Sequence, residues 1–195
     1  MFTGLVEEVG IITNHINTKD GIEIEINANI IMEDLKVNDS ISCSGICLTV
    51  TSINDSNFKV QIVEETLSRT TAGTWQVGTK INLERSLLPS SRMGGHFVQG
   101  HVDRVIKLIK IIPGQDSAVW HFAQTSDIDK YIVEKGSICL DGISLTIALK
   151  EKEYFSVALI PHTLSVTTWK QKKVGELINV EVDIMAKYME SLLGA

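Results

Sequence analysis

The chain has 195 residues, of which 44% are hydrophobic and 22% charged. These fractions are typical of a globular protein and argue against the disordered, collagen-like and coiled-coil classes. The formal net charge of −6 argues against a nucleic-acid or anionic-membrane partner, because phosphate binding depends on clustered Lys and Arg. Cys43, Cys47 and Cys139 lack CxxC or Cys/His spacing, so they indicate neither a disulfide framework nor structural zinc, and a reducing compartment fits best.

The N-terminal segment has no basic region and reaches acidic residues at Glu7 and Glu8, unlike a secretory signal. The apolar runs of the chain are a few residues long, whereas a membrane-spanning helix needs about 20. We therefore expect a cytoplasmic protein.

The two halves of the chain repeat each other. The segment GICLTV at 45–50 matches GISLTI at 142–147, 97 positions later, and TLSRTT at 66–71 matches TLSVTT at 163–168. Between Gly45 and Glu84, about sixteen of about forty aligned positions are identical, against about one in twenty by chance. This repeat predicts two homologous domains, 1–97 and 98–195.

Each half has the pattern of short strands. Ile22 to Ile26 alternates apolar and acidic side chains, and much of Phe58 to Val63 also alternates, which is typical of strands with one buried face. Turn-forming residues recur at short intervals between such segments. Short strands at this spacing predict a small closed barrel in each half. We expect short helical segments over 31–35 and 127–133.

The C-terminal segment differs from both repeats. Between Ile184 and Leu193, apolar residues recur at helical spacing, which predicts one amphipathic helix. This helix has no counterpart in the first half. It can pack on its own chain or assemble subunits, and the pattern leaves both open.

Candidate reactive side chains occupy matched positions in the repeat. Cys47 corresponds to Ser144, and each is followed two residues later by a threonine, Thr49 or Thr146, on the same strand face. A Cys or Ser is a nucleophile only where a base activates it, and the structural alternative is a small buried residue. Ser44 of the first copy corresponds to Asp141 of the second. Two copies that share a scaffold but differ in a charged residue suit two similar ligands held in different chemical roles.

A glycine-rich segment over 94–103 is the densest polar part of the chain and contains His96 and His101. Histidine suits acid–base catalysis near neutral pH. A metal site is not indicated, because neither histidine has a further ligand at metal-binding spacing. Phosphate-binding loops and a GxSxG nucleophile motif are also missing from the sequence.

A threonine cluster, Thr66, Thr70 and Thr71, recurs at Thr163 and the two threonines of 167–168. Threonine favours strands, so a structural role is one interpretation. Hydroxyls repeated in both copies also suit a neutral, polyhydroxylated ligand.

Taken together, several motifs resemble the riboflavin synthase alpha-chain family over essentially the whole chain. The matching segments are MFTG at 1–4, G-x-CLTV at 45–50, ETL at 65–67, GGH at 94–96, GHVD at 100–103, DGISLT at 141–146 and IPHTL at 160–164. One departure is Arg104, where the family commonly has glycine, so the local turn is expected to differ.

The resemblance implies an all-β fold of two six-stranded Greek-key barrels in tandem, followed by a C-terminal α-helix. It implies a transferase that dismutates two molecules of 6,7-dimethyl-8-ribityllumazine to riboflavin and 5-amino-6-(D-ribitylamino)uracil. It further implies a homotrimer held by the C-terminal helix, an active site between barrels of neighbouring subunits, and an association with lumazine synthase in some members. No cofactor and no metal are implied.

The resemblance also implies the ligand contacts. The first barrel's ligand is expected to contact Cys47, Leu48, Thr49, Gln61, Ile62, Val63, Glu64, Glu65, Thr66, Gly100, His101, Val102 and Lys135. The second barrel's ligand is expected to contact Gly4, Leu5, Val6, Ser144, Leu145, Thr146, Ala158, Leu159, Ile160, Pro161, His162 and Thr163.

Catalytic roles follow from the same resemblance. His101 and Thr146 are expected to transfer protons, Ser144 and Asp141 to form an activating network, and Cys47 to act as a nucleophile or polar contact. Two alternatives are a non-catalytic lumazine- or flavin-binding antenna protein of the same fold and a flavin-dependent oxidoreductase. The oxidoreductase would need a nicotinamide domain, for which the chain is too short.

Overall fold

The structure, a computed structural model, describes residues 1–194. The strands are β1 (Glu8–Thr18), β2 (Gly21–Asn27), β3 (Ser40–Cys43), β4 (Ile46–Asn54), β5 (Asn57–Val63), β6 (Lys80–Arg85), β7 (Arg104–Pro113), β8 (Ala118–Ala123), β9 (Ser137–Leu140), β10 (Ile143–Lys150), β11 (Tyr154–Leu159) and β12 (Leu177–Val182). The α-helices are α1 (Glu64–Arg69), α2 (Pro161–Val166) and α3 (Ile184–Leu193).

Each half of the chain closes into an antiparallel six-stranded barrel. The first barrel has the strand order β1-β2-β5-β4-β3-β6, and the second has the equivalent order β7-β8-β11-β10-β9-β12. In both barrels, the connections that follow the second and the fifth strand each pass over two strands, which is the Greek-key pattern. The all-β prediction of two tandem barrels with a C-terminal helix is confirmed.

The alternation of side chains explains how each barrel closes around a core. In β2, Ile22, Ile24 and Ile26 face inward and are buried, while the intervening Glu23 and Glu25 lie on the outer side. The second core contains a larger share of aromatic side chains, including Trp120 and Trp169, whose rings stack with centroids 5.0 Å apart. Burial of these faces provides the main favourable contribution to folding.

The expected short helices are single turns of 3-10 helix. They span Ile31–Glu33 and Asp129–Tyr131, inside the predicted ranges 31–35 and 127–133. Three residues are too few to form an α-helical turn with its own hydrogen bonds, so these segments serve as connections.

The repeated threonines stabilise helix ends. The Thr70 hydroxyl donates to the Thr66 carbonyl, and the Thr167 hydroxyl donates to the Thr163 carbonyl, each at 2.7 Å. The same two hydroxyls accept from backbone N–H groups two residues later. These contacts favour the structural interpretation of Thr70 and Thr167 over ligand binding.

The start of each half crosses to the other barrel. Phe2 and Val98 pair as an antiparallel bridge, and both side chains are fully buried. Beyond this bridge, the Gly4 carbonyl accepts from the Ser144 N–H at 2.7 Å, and the Gly100 carbonyl accepts from the Cys47 N–H at 2.8 Å. The two halves are therefore related by an approximate two-fold axis, and each contributes backbone to the other's barrel.

Two buried asparagines join the barrels beside this crossing. The Asn82 side-chain amide donates to the Asp141 carbonyl at 2.8 Å, and that of Asn179 donates to the Ser44 carbonyl at 2.9 Å. Their side-chain oxygens accept from backbone N–H groups of the opposite barrel. Buried amides satisfied in this way fix the relative position of the barrels.

Helix α3 confirms the predicted C-terminal helix. The Asp183 carboxylate caps it by accepting from the Met185 N–H at 3.0 Å. Glu190 bonds to Lys130 and to the Tyr131 hydroxyl, which attaches the helix to its own chain. The apolar side chains Met185, Tyr188, Met189, Leu192 and Leu193 are between 51% and 86% exposed.

None of the helices formed by residues 1–194 is long and apolar enough to cross a membrane.

We expect Gly100→Ala to destabilise the protein much more than Gly175→Ala. Both glycines have positive φ, +80° and +97°, so alanine is strained at either by about 1 kcal/mol. Only at Gly100 would the new Cβ lie 2.5 Å from the Cβ of Cys47, whereas nothing lies within 4 Å at Gly175. Urea unfolding should show a total loss of about 3 kcal/mol or more for Gly100→Ala. Equal losses would contradict the proposed close packing.

Candidate functional site

Ser144 and His96 form a hydrogen-bonded pair at the surface of the second barrel. The Ser144 hydroxyl lies 2.7 Å from His96 Nδ1. The His96 N–H donates to the Thr3 carbonyl at 3.2 Å, which fixes the backbone of the histidine. Gly95 allows this approach, because a Cβ there would lie 2.0 Å from the Thr3 carbonyl oxygen and 2.8 Å from Ser144 Oγ.

The surroundings of His96 favour its neutral form. Burial lowers the pKa of His96 below its usual 6.5, and the negative charge of Asp183 opposes this shift with a smaller effect. His96 Nε2 is buried and has no hydrogen-bond partner among residues 1–194. A neutral imidazole bonded to a serine hydroxyl can accept its proton as a general base.

Cys47 occupies the equivalent position in the first barrel with different neighbours. It is half-buried and packs against Phe2, Val98 and Cys139. The Cys47 N–H donates to the Gly100 carbonyl. His101 is the next residue after Gly100, and the His101 side chain is exposed. The repeat thus produces one site with a cysteine and a second with a serine–histidine pair.

Each barrel opens where two neighbouring strands separate. Strands β4 and β5 pair as far as Val50 and Val60, after which β4 pairs only with β3 and β5 only with β2. Strands β10 and β11 separate in the same way beyond Ile147 and Val157. The short helices α1 and α2 begin at these two openings.

The segments predicted to contact ligands surround these openings. At the first barrel, Val102 packs on the core beside the opening, and at the second barrel Val6 does so. Thr49 and Thr146 are exposed on the strands that border the openings. Apart from Lys135, the predicted contacts of the first-barrel ligand lie on β4, β5, α1 and the 100–102 segment. The predicted contacts of the second-barrel ligand lie on β10, β11, α2 and the 4–6 segment.

Several predicted contact residues can offer only their backbone. Leu48, Ile62 and Leu159 point into the barrel cores and are at most 6% exposed. Their exposed neighbours include Gln61, Val63, Ala158 and Ile160. The alternation of a strand explains this result, because successive side chains point to opposite faces.

Asp141 does not reach Ser144, although the sequence analysis expected them to form one network. Asp141 lies in the turn between β9 and β10, where the chain reverses, and its carboxylate points toward β12. It accepts from the Asn179 N–H at 2.9 Å and from Trp169 Nε1 at 3.0 Å, and lies 3.3 Å from Lys172 Nζ. The structure gives Ser144 a histidine partner and gives Asp141 a role in holding the second barrel together.

Lys135 and Arg104 also have positions that the sequence alone did not define. Lys135 lies in the second barrel, at the turn before β9, and its N–H donates to the Ile147 carbonyl at 2.8 Å. It therefore belongs to the barrel opposite the one whose ligand the resemblance assigns to it. Arg104 begins β7, pairs with Val180 in the sheet and forms an ion pair with Asp127.

Two buried carboxylates next to the site were missed by the sequence analysis. The Glu84 carboxylate accepts from the N–H groups of Thr3 and Gly4, and that of Glu181 accepts from three consecutive N–H groups beginning at Gln99. Burial raises the pKa of both carboxyls, and the bonds from N–H groups oppose this shift. The signal was present in the sequence, since the two glutamates occupy identical positions of the repeat.

Two large cavities lie in the described chain, and the first reaches the candidate site through Thr3, Leu5 and Glu84. One of about 550 Å³ is lined by residues around Arg85 and the 86–92 segment, and one of about 490 Å³ lies between the barrels near Trp75 and Lys172. Among residues 1–194, no three His, Cys, Asp or Glu side chains converge in a group suited to a metal ion.

Comparison with known proteins agrees with the duplicated fold. The lumazine binding domain matches residues 3–86 and 99–183. Riboflavin synthase from Schizosaccharomyces pombe is 43% identical over 197 residues, covering 100% of this chain and 95% of that protein. Riboflavin synthase from Photobacterium phosphoreum is 40% identical, covering 99% and 89%, and that from Mycobacterium tuberculosis is 39% identical, covering 99% and 98%.

Solved structures with a similar fold include two complexes of LumP. The complex with riboflavin has a TM-score of 0.85 at 24% identity, and the complex with 6,7-dimethyl-8-(1'-D-ribityl) lumazine has a TM-score of 0.84 at 22% identity. Each covers 93% of this chain and 99% of the other. At this identity, the likeness concerns the fold alone. The duplicated domain and the identity over nearly the full length of the riboflavin synthases establish that the chain belongs to the riboflavin synthase family of lumazine-binding-domain proteins.

Proposed function

We propose that the protein is a riboflavin synthase, which transfers a four-carbon unit between two molecules of 6,7-dimethyl-8-ribityllumazine. The products are riboflavin and 5-amino-6-(D-ribitylamino)uracil, and the reaction is the last step of riboflavin biosynthesis. The observation that carries the proposal is the pair of related but unequal sites in one chain. One site contains Cys47 and the other contains Ser144 bonded to His96 at 2.7 Å. A reaction between two identical substrates needs two similar binding sites whose chemistry differs.

The proposed roles follow from the surroundings of each side chain. His96 accepts the Ser144 proton, so that the Ser144 oxygen can add to, or polarise, the ligand of the second barrel. His101 and Thr146 are exposed at the two openings and exchange protons with the substrates there. Cys47 contacts the ligand of the first barrel. Holding two rings in reacting positions supplies much of the rate by proximity.

We also propose a homotrimer in which the active site lies between barrels of neighbouring subunits. One observation supports it: the apolar side chains of α3 are exposed in the single chain. The resemblance assigns Lys135 to the first-barrel ligand although Lys135 lies in the second barrel, so in a trimer we expect Lys135 of a neighbouring copy to contact that ligand. A cytoplasmic location and an association with lumazine synthase stay predictions.

A non-catalytic antenna protein is the second candidate, favoured by the similarity to LumP, which was solved with lumazine and flavin ligands. The fold alone does not separate the two functions. The Ser144–His96 pair, which a binding protein has no need to build, and the higher identity to riboflavin synthases favour the enzyme.

The purified protein should convert 6,7-dimethyl-8-ribityllumazine to riboflavin, with one riboflavin formed for every two lumazines consumed. Absorbance and chromatography measure both. Ser144→Ala and His96→Gln should each lower kcat by about 10²-fold or more, the size of a general-base contribution. Ser56→Ala, in the exposed turn between β4 and β5, is the matched control. Ligand binding without turnover by the wild-type protein would favour the antenna function instead.

Stability should depend on pH through His96. Its pKa in the folded protein is lower than its unfolded value of 6.5, so the unfolded state binds more protons between these two values. The free energy of unfolding should therefore fall as the pH is lowered below 6.5. Urea unfolding should show a weaker pH dependence for His96→Gln. His121→Gln measures separately the contribution of the other histidine whose pKa is lowered by burial. An unchanged slope in His96→Gln would refute the assignment to His96.

The α3 surface should hold the trimer together. Leu192→Lys combined with Met189→Lys places charges on side chains that are 86% and 58% exposed in the single chain, and should give monomers in analytical ultracentrifugation. Riboflavin formation should fall with the trimer, because each site then lacks its second subunit. Ser191→Lys, on the same helix outside the apolar stripe, should leave the trimer intact. A wild-type monomer with full activity would exclude the shared site.

A further inference from the structure

We propose that Glu84 and Glu181 are positioning residues that build each ligand site from the opposite barrel. Glu84, on β6 of the first barrel, holds the backbone that supports Ser144 and His96 in the second. Glu181, on β12 of the second barrel, holds the backbone that supports Cys47 and His101 at the first. The functional part of this inference rests on the proposed riboflavin synthase activity.

The Glu84 carboxylate supports both members of the serine–histidine pair through one short segment. Oε1 accepts from the N–H and the hydroxyl of Thr3, both at 2.7 Å, and Oε2 accepts from the Gly4 N–H at 2.9 Å. On the other side of this segment, the Thr3 carbonyl accepts from the His96 N–H at 3.2 Å and the Gly4 carbonyl accepts from the Ser144 N–H at 2.7 Å. The carboxylate therefore fixes directly the Thr3–Gly4 peptide group, which holds His96. It supports the Gly4–Leu5 peptide group, which holds Ser144, through the Thr3 hydroxyl, which accepts from the Leu5 N–H at 3.2 Å.

Glu181 does the same at the first barrel. Its carboxylate accepts from the N–H groups of Gln99 at 2.6 Å, Gly100 at 2.8 Å and His101 at 3.0 Å. The Gly100 carbonyl then accepts from the Cys47 N–H at 2.8 Å. Glu181 thus holds one candidate catalytic residue, His101, directly and a second, Cys47, through one peptide group.

The chemistry of both segments requires an ionised carboxylate and a glycine. Gly4 and Gly100 have φ of +76° and +80°, which turns consecutive N–H groups toward one anion. A Cβ at either glycine would come within 2.6 Å of the Cβ of Ser144 or Cys47, so the glycine also permits the close approach. Glu84 and Glu181 are only 6% and 3% exposed, and the N–H bonds offset the cost of burying their charges.

The arrangement makes a specific crossed prediction. If the glutamates only stabilise their own strands, their loss should loosen their own barrels. If they position the opposite site, Glu181→Gln should loosen Cys47, and Glu84→Gln should loosen Ser144. Glutamine keeps the length of the side chain but places an amide N–H₂ opposite an N–H donor, so at least one bond is lost.

Amide hydrogen exchange of specifically labelled protein tests this prediction directly. Labelling with ¹⁵N-cysteine gives only three amides, and Cys43, buried in β3 of the first barrel, serves as the reference. In Glu181→Gln, the Cys47 amide should exchange about tenfold faster or more relative to Cys43, the effect expected for losing a charge-assisted bond. With ¹⁵N-serine, the Ser144 amide should respond in the same way to Glu84→Gln and stay unchanged in Glu181→Gln.

Glu8→Gln is the matched control. The Glu8 carboxylate also accepts from two backbone N–H groups, those of Asn29 at 2.9 Å and Ile31 at 2.7 Å, but it supports neither site. This variant should leave the Cys47 and Ser144 amides and the turnover unchanged. Should a glutamine variant fail to fold, Thr3→Val, which removes one donor to Glu84, and Glu181→Asp, which withdraws the carboxylate by one methylene, test the same two contacts.

Turnover supplies the functional measurement. Both glutamine variants should lower kcat by about tenfold or more, with a smaller effect on KM, because misplacement of reacting groups affects the chemical step more than binding. Lower kcat with unchanged Cys47 and Ser144 amides, or faster exchange confined to the variant's own barrel, would overturn the proposal. If the wild-type protein forms no riboflavin, the proposed function fails, while the crossed exchange pattern still decides whether the glutamates position the opposite segments.

Discussion

The crossing of the two N-terminal segments is the constraint on which the rest of the structure depends. Phe2 pairs with Val98 at the approximate two-fold axis, and the peptide groups of Gly4 and Gly100 then bond to the opposite barrels. Because each segment begins one barrel and lines the other, neither barrel is complete without its partner. The two candidate sites are therefore connected by backbone hydrogen bonds between the barrels, and backbone moves less freely than side chains do.

Charge and amide groups buried at this crossing make the arrangement specific. Glu84 and Glu181 each bind consecutive N–H groups, and Asn82 and Asn179 each bond to the opposite barrel. A buried polar group without a partner costs more than its bond contributes when made. Alternative placements of the barrels would leave these groups unsatisfied, so the polar contacts select one arrangement from the many that hydrophobic burial alone would allow.

The differences between the two copies explain how one duplicated scaffold can serve two chemical roles. Ser144 bonds to His96, whose burial favours the neutral imidazole, while Cys47 packs among apolar side chains. Another difference, Ser44 against Asp141, affects contacts inside the second barrel rather than the sites, because the Asp141 carboxylate binds Trp169 and the backbone of β12. A divergent position in a repeat is therefore not by itself a functional residue.

The sequence by itself determined the barrels, the duplication and the C-terminal helix, because these depend on local periodicity and on a repeat without gaps. It also singled out positions 47, 101 and 144 as candidate reactive residues. Only the tertiary structure decided their partners: His96 lies 48 positions from Ser144, and Glu181 lies 80 positions from His101. Contacts over such separations depend on how two barrels pack across an axis, and no periodicity within one strand encodes that packing.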